Sequence, residues 1–204
     1  MGCYCGKMTV LGIFLDTEAN GLNAYKHKVI EVAYKILDVN SGALKDQFEA
    51  VIFQPYEVWQ ESDPDSLQVN GFSWEEVSVG QRSSSVSQAI MSSFKAQGIR
   101  RGNAVFICQN PSFDRAFFSQ LIDPDAQEDL KWPYHWLDLA SMYWAKSIYR
   151  GDQMPWETGF SKDRIAKTLH LAPEAKPHRA MNGVNHLILC YEAVVGFPGA
   201  SRNL

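Results

Sequence analysis

A run of apolar and small residues, Val10 to Leu15, closes on Asp16 and Glu18 in the stretch TVLGIFLDTEANG. An apolar run of this length ending in polar residues reads as a buried strand. The stretch VIEVAYKILDVNSGALKDQFEAVIF reads as two more strands, roughly 29 to 38 and 46 to 53, joined into a hairpin by Asn40, Ser41 and Gly42. From Gln54 to Asn70 periodicity lapses, and Pro55 and Asp63-Pro64 make the segment a long loop. Ser73 and Glu76 then offer a capping box for a short helix. Val86, Ile90 and Phe94 fall on one stripe of a helix over about 84 to 97, with Gly98 at its end. A short apolar run, 104 to 108, passes directly into Asn110 as an N-cap and Pro111 at the first helical position, so a strand feeds a helix. Further helices are predicted near 139 to 150, near 162 to 170 from Ser161, and near 182 to 195, where Val184, Leu187, Ile188 and Tyr191 align ahead of Gly196. Strands first, then helices and strands in alternation, predict an α/β chain with a mixed sheet and helices on its faces.

Composition narrows the class. A chain of 204 residues, 46% of them hydrophobic, suits one domain with a substantial core. A formal charge of -4 argues against gripping nucleic acid by bulk electrostatics, so any phosphate chemistry must be local. Cys3, Cys5, Cys108 and Cys190 show neither a paired framework nor zinc-like spacing, which predicts no disulfide and a reducing, cytoplasmic setting. The start MGCYCGKMTV lacks an apolar h-region, and no stretch approaches the ~20 apolar residues of a membrane span. Gly6 stands where the myristoylation pattern wants Ser or Thr, so residues 1–8 read as a flexible tail.

The candidate chemistry begins with Asp16 and Glu18. Side chains two apart on a strand share a face, and two carboxylates so placed repel unless something positive lies between them. Hard cations such as Mg²⁺ take carboxylate oxygens together with substrate phosphates. Asp114, in the first turns of a helix that follows a strand, is a candidate third ligand, because strand ends in one sheet bring such residues together. Its other reading is an acid that favours a helix N-terminus. His178, just ahead of the last helix, is a candidate general base if it lies beside metal-bound phosphate, since an unperturbed imidazole titrates near ~6.5. Outside that setting a lone histidine is structural or merely exposed.

The segments FLDTEANGLNAYKHKVIEVAYKILD, CQNPSFDRAFF and HRAMNGVNHLI stand in the order, and at roughly the separations, of the three motifs of the DEDDh 3′-to-5′ exonucleases. The chain resembles that superfamily, which includes polymerase proofreading subunits, ribonuclease T and oligoribonuclease, over about residues 9 to 195. VNGFSWEEV and WLDLASMYW are similar to its connecting segments. The resemblance implies an RNase H-like fold: a mixed five-stranded sheet, helices on both faces, and hairpin strands antiparallel to the first. It implies an exonuclease domain over 9–196 followed by a tail, 197–204. It further implies Mg²⁺ or Mn²⁺, two ions, held by Asp16, Glu18 and Asp114, with His178 taking a proton from the attacking water. Single-stranded DNA or RNA 3′ ends would be hydrolysed to nucleoside 5′-monophosphates. Contacts to the terminal nucleotide would fall on Thr17, Ala19, Asn20, Leu22 and Asn110, with Ala19 where the family often has Thr. Lys26, Lys28, Lys176 and Arg179 would meet phosphates or form solvated surface. Phe72, Trp74 and Phe113 would stack on bases or pack in the core.

One position departs from the pattern. The family's third motif carries an acid five residues after the histidine, and here that residue is Gly183; no acid lies between His178 and Glu192. Asn182 and Asn185 flank the gap. Asn182 is explained as the N-cap of the last helix, which leaves Asn185 as the candidate amide ligand. Two divalent ions bring four positive charges against three from the acids, so the expectation is two ions with substrate and one or none without it. Two functional readings follow: a metal-dependent exonuclease, or a degenerate exonuclease fold that binds nucleic acid or a protein partner without hydrolysis. No motif points to a membrane, and none addresses homodimerisation or association with a polymerase.

Overall fold

The computed structural model describes residues 9–200. A five-stranded sheet runs in the order β3-β2-β1-β4-β5, with β1 Leu11–Ala19, β2 Val29–Asp38, β3 Leu44–Val51, β4 Ala104–Cys108 and β5 Trp136–Asp138. β1 pairs antiparallel with β2 and parallel with β4. β2 pairs antiparallel with β3, and β4 parallel with β5. Of the hairpin strands, therefore, only β2 opposes β1; β3 reverses again and runs parallel to it, because the two arms of a hairpin must oppose each other. β1 and β2 are buried on both faces and read as nearly continuous apolar runs, whereas edge strand β3 is half polar, with Ala50 its one buried residue.

The helices are α1 Tyr56–Gln60, α2 Pro64–Asn70, α3 Trp74–Ser78, α4 Ser83–Ala96, α5 Pro111–Phe118, α6 Pro124–Asp129, α7 Leu139–Arg150, α8 Pro155–Thr158, α9 Lys162–Thr168 and α10 Ala180–Val194. α4 and α5 cover one face of the sheet, where Ile90, Phe94 and Phe117 meet Ile13, Leu15 and Phe106. α7, α9 and α10 cover the other, where Tyr143, Ile165 and Leu187 meet Phe14 and Ile107. Cys108 and Cys190 are buried free thiols, one in each layer. Among the described residues no helix is long and apolar enough to cross a membrane.

Local chemistry explains the helix starts. Ser73 and Glu76 form the expected capping box at α3. Asp138 caps α7 by accepting from Ala140 N and Ser141 N. The segment read as a loop from Gln54 to Asn70 contains α1 and α2: both are too short for periodicity to register, and Asp63-Pro64, read as a turn, is the N-cap and first residue of α2. The short elements α6, α8 and β5 escape a periodicity reading for the same reason. α10 starts at Ala180, with Arg179 in the N-cap position, so Asn182 lies inside the first turn rather than capping it. The first N–H of this helix is satisfied from the sheet: Ala180 N donates to Glu31 Oε2 at 2.6 Å.

The end of the described chain is attached rather than free. Gly199 N donates to Asn40 O, and the Phe197 ring packs on Tyr191 at 5.6 Å. Phe197 also closes on the β2–β3 turn at Gly42, where φ is 74° and a Cβ would come within 2.9 Å of the ring, so both backbone and space require glycine. The expected tail from 197 thus holds onto the hairpin as far as the structure describes it; the expected tail at residues 1–8 lies outside the described residues.

Phe94 has no exposed surface and lies 4.7 Å from Trp132, 5.2 Å from Tyr34 and 6.1 Å from Phe106 by ring centroid. Phe94→Ala is therefore expected to lower unfolding free energy by about 3–5 kcal/mol, as large core truncations do. Urea denaturation followed by circular dichroism checks this; a loss below about 1 kcal/mol would show that α4 is not a keystone of its layer.

Candidate active site

Side chains alternate along β1, so Asp16 and Glu18 fall on the same face as Phe14, toward α9 and α10. Asp114 reaches them from the other direction. β4 feeds straight into α5, and the Asp114 carboxylate is buried in the first turn of that helix. Its Oδ1 accepts from Thr17 N at 3.0 Å and from Thr17 Oγ1 at 3.1 Å, which ties the helix start to the end of β1. The three acids line one cleft of about 230 Å³, together with Thr17, Asn110, Phe113 and His178. A neighbouring pocket of about 270 Å³, lined by Ala19, Leu22 and Val69 among others, shares Glu18 and Phe113 with the first.

Other candidates are placed differently. Asn20 is buried and its amide is used within the chain: Oδ1 accepts from Lys28 N at 2.7 Å, and Nδ2 donates to Val58 O and Ser62 Oγ. Asn110 occupies the N-cap position of α5 without a side-chain cap bond, its Oδ1 accepting from Ser112 Oγ instead. Asn185 is not brought to the acids. It is exposed on α10, and its Oδ1 accepts from Lys35 Nζ at 2.7 Å. Gly183 is the α10 residue that faces Asp16, and Asn185, two residues on, is turned about 200° away from it. Arg179 pairs with Glu76 at 2.7 Å and lies 3.7 Å over the ring of buried Phe72. Trp74 packs edge-on against Tyr56, and Lys26 pairs with Glu61. Phe113 is thus the one of the three candidate aromatics that lines the cleft.

Sequence reasoning missed three residues that the fold places at the cleft, Gln109, Lys162 and Glu174. Lys162 Nζ donates to Asp16 Oδ1 at 3.1 Å and to Gly183 O at 3.4 Å, and lies 3.3 Å from Glu174 Oε2. Glu174, with a side chain only 3% exposed, also approaches two histidines: Oε1 lies 3.1 Å from His178 Nδ1 and Oε2 lies 3.3 Å from His186 Nδ1. A weak signal for Lys162 was present, since a lysine at the first position of a helix opposes the helix dipole and needs an anion elsewhere. Glu174 sits in an aperiodic connection, where no pattern separates a buried acid from a solvated one. Gly183 faces this group directly. A Cβ there would lie 2.2 Å from Asp16 Oδ2 and 2.6 Å from Asp16 Cγ, so the backbone of α10 approaches as close as a side-chain-free residue permits.

The electrostatics follow from this crowding. Burial pushes Asp16 up while Lys162 pulls it back. Burial and then Asp16 raise Asp114 well above the usual carboxylate range. Burial, reinforced by Asp16 and by the cross-strand partner Glu31, brings Glu18 up to about 8. Burial also works against ionised Glu174, but His186, Lys162 and His178 outweigh it and hold it down to about 2. The bond to Cys190 Sγ and the approach of Glu174 raise His186 to about 9. Burial opposes the Lys162 charge, yet Asp16 and Glu174 prevail and keep it protonated. Three carboxylates with raised proton affinity on one cleft form a hard-oxygen donor set, and it fits a divalent ion of the Mg²⁺ or Mn²⁺ type.

A carboxyl raised in the folded chain from 4.5 to about 8 holds a proton that the unfolded chain releases, so Glu18 makes folding progressively less favourable as pH rises through that window. With chelator present, the melting temperature is expected to fall between about pH 5.5 and about pH 8.5, and Glu18→Gln to flatten that fall. Differential scanning calorimetry on both proteins checks it; equal slopes would remove Glu18 as the proton holder.

No protein-family model matches the chain, and no curated protein matches it. Solved structures do. A crystal structure of E. coli exonuclease I in complex with a dT13 oligonucleotide superposes with a TM-score of 0.75 at 16% identity, covering 91% of this chain and 41% of that one. The zinc-bound form of the E. coli exonuclease I complex with single-stranded DNA gives 0.74 at 17%, covering 91% and 40%. A full-length 3′-exonuclease gives 0.67 at 12%, covering 93% and 61%. The chain spans about two fifths of exonuclease I and about three fifths of that 3′-exonuclease. The mixed five-stranded sheet with helices on both faces is the RNase H-like fold of these exonucleases.

Proposed function

We infer that the chain is a metal-dependent 3′-to-5′ exonuclease of the DEDDh kind, hydrolysing single-stranded DNA or RNA ends to nucleoside 5′-monophosphates. The observation that carries this reading is the convergence of Asp16, Glu18, Asp114 and His178 on one cleft. The fold it shares with an exonuclease I crystallised on single-stranded oligonucleotides supports it. Asp16, Glu18 and Asp114 would hold a divalent ion, Mg²⁺ or Mn²⁺. Bound there, such an ion supplies Lewis acidity toward a phosphate and its attacking water.

The chain's own residues do the rest. Glu174 Oε1 faces His178 Nδ1, so the hydrogen on that nitrogen is held and Nε2 is left as the basic atom, the tautomer that proton abstraction from water requires. Phe113, Leu22 and Val69 give the pocket beside Glu18 apolar walls suited to a terminal base and sugar, and Leu22 offers 75% of its surface to such a guest. An acidic chain has few cations to spare for a long phosphate track, which favours short or frayed single-stranded ends over extended duplex. The buried free thiols Cys108 and Cys190 suit a reducing compartment, and we place the protein in the cytoplasm.

A second reading, a fold that binds nucleic acid without cutting it, is favoured by one observation: Gly183 replaces an acid, and Lys162 already occupies Asp16. A gel time course separates the two. With 5′-labelled single-stranded DNA and RNA, products shortened stepwise from the 3′ end are expected in Mg²⁺ or Mn²⁺ and none in EDTA. Intact substrate in every lane, with binding retained in a mobility shift, would assign the second reading. His178→Ala is expected to slow hydrolysis by about 10²–10⁴, the scale of general-base catalysis, with Mn²⁺ affinity unchanged. Unaltered turnover would exclude His178 as the base.

A further inference from the structure

We propose that Lys162 is a built-in cation that takes the place of one divalent ion, so that the cleft binds a single ion where the two-metal arrangement would bind two. The inference rests on the nuclease reading above and concerns the metal count of that same site.

Three observations lead to it. The Lys162 ammonium has three donors and three oxygens around it, on Asp16, Glu174 and Gly183, at 3.1, 3.3 and 3.4 Å. It is a lysine with a side chain only 13% exposed, not a surface charge that happens to swing inward. Next, Gly183 leaves no room for a substitute ligand at its own position: a Cβ would meet Asp16 Oδ2 at 2.2 Å. The missing acid and the inserted lysine therefore form one arrangement, in which the Asp16 carboxylate turns one oxygen to Lys162 and packs the other against the α10 backbone. Finally, the charges balance for one ion. Asp16, Glu18 and Asp114 carry three negative charges when ionised, Lys162 cancels one, and the remaining two match one divalent cation. Glu174 adds a fourth negative charge, and protonated His186, 3.3 Å from the same Oε2 that Lys162 approaches, offsets it.

The consequence is a site whose positive charge is partly covalent. An ammonium fixed beside Asp16 cannot be chelated away or diluted out, and it repels a second ion from the same oxygens.

Counting bound Mn²⁺ on the full chain tests this, by electron paramagnetic resonance of the free ion, with and without saturating thymidine 5′-monophosphate. One ion per chain is expected in both conditions. The count is repeated in Asp163→Asn, because Asp163, Glu174 and His186 present ligand atoms within 4.8 Å of one another and a second ion held there would be lost with that substitution. Two ions that survive Asp163→Asn would overturn the inference while leaving the nuclease reading intact. No bound ion, together with no hydrolysis, would overturn the reading itself. Lys162→Met is expected to tighten Mn²⁺ binding about tenfold or more and to admit a second equivalent, as removing a neighbouring cation should. If that variant does not fold, Lys162→Met with Glu174→Gln removes the stranded acid as well and is expected to give the same gain. Unchanged affinity and count in a folded variant would show that Lys162 is not the stand-in.

Discussion

Five carboxylates gathered around the end of β1, Asp16, Glu18, Asp114, Glu174 and Glu31, are the constraint on which the rest of this structure depends. Like charges out of water repel, and each must find a cation, a donor or a proton. The solutions are all visible. Thr17 gives Asp114 two hydrogen bonds, Lys162 is shared by Asp16 and Glu174, His178 and His186 flank Glu174, and Glu31 spends its charge on the first N–H of α10. Each solution recruits a different element, so the helices on both faces of the sheet are fixed in part by what the acids require. Hydrophobic burial supplies the bulk of the stability, but it does not by itself dictate that α5, α9 and α10 converge on the same strand end.

The frame was legible because burial imposes period. β2 and β4 appear at the residues the apolar runs mark, and α4, α7 and α10 follow their stripes to within a few residues. A segment of four to seven residues completes too little of a period to be seen, which is why α1 and α2 lay inside a stretch that read as loop and α6 and α8 went unassigned. Asp16, Glu18 and Asp114 were legible as a group by spacing, since Asp16 and Glu18 share a face by alternation and Asp114 follows a strand-to-helix junction, and His178 stood out only in company with them. Lys162 and Glu174 were not, because their meeting depends on the path of an aperiodic connection between α9 and α10. Asn185 shows what position around a helix decides: it stands two residues past Gly183, about 200° around α10 from the residue that faces Asp16, and its amide meets Lys35 instead.

The likeness to solved exonucleases at 12–17% identity has a physical basis in the same division. What a fold must keep is the pattern of burial, and many sequences satisfy it at equal packing. What a site must keep is a few oxygens at fixed positions, and those are held by backbone elements that the pattern already guarantees. Two chains can thus share the sheet order and the strand end while almost every side chain between them differs.

The contact between Gly183 and Asp16 also bears on how such a chain can change over time. With the carboxylate seated against the α10 backbone, one nucleotide change that turned Gly183 into an acid would drive a side chain into Asp16 and set two like charges together while Lys162 still held its place. Loss of Lys162 alone would strand Glu174 and Asp16 without their shared cation. Neither single step passes through a sound intermediate, so glycine and lysine are held jointly, and a lineage that carries both is expected to drift as a pair or not at all.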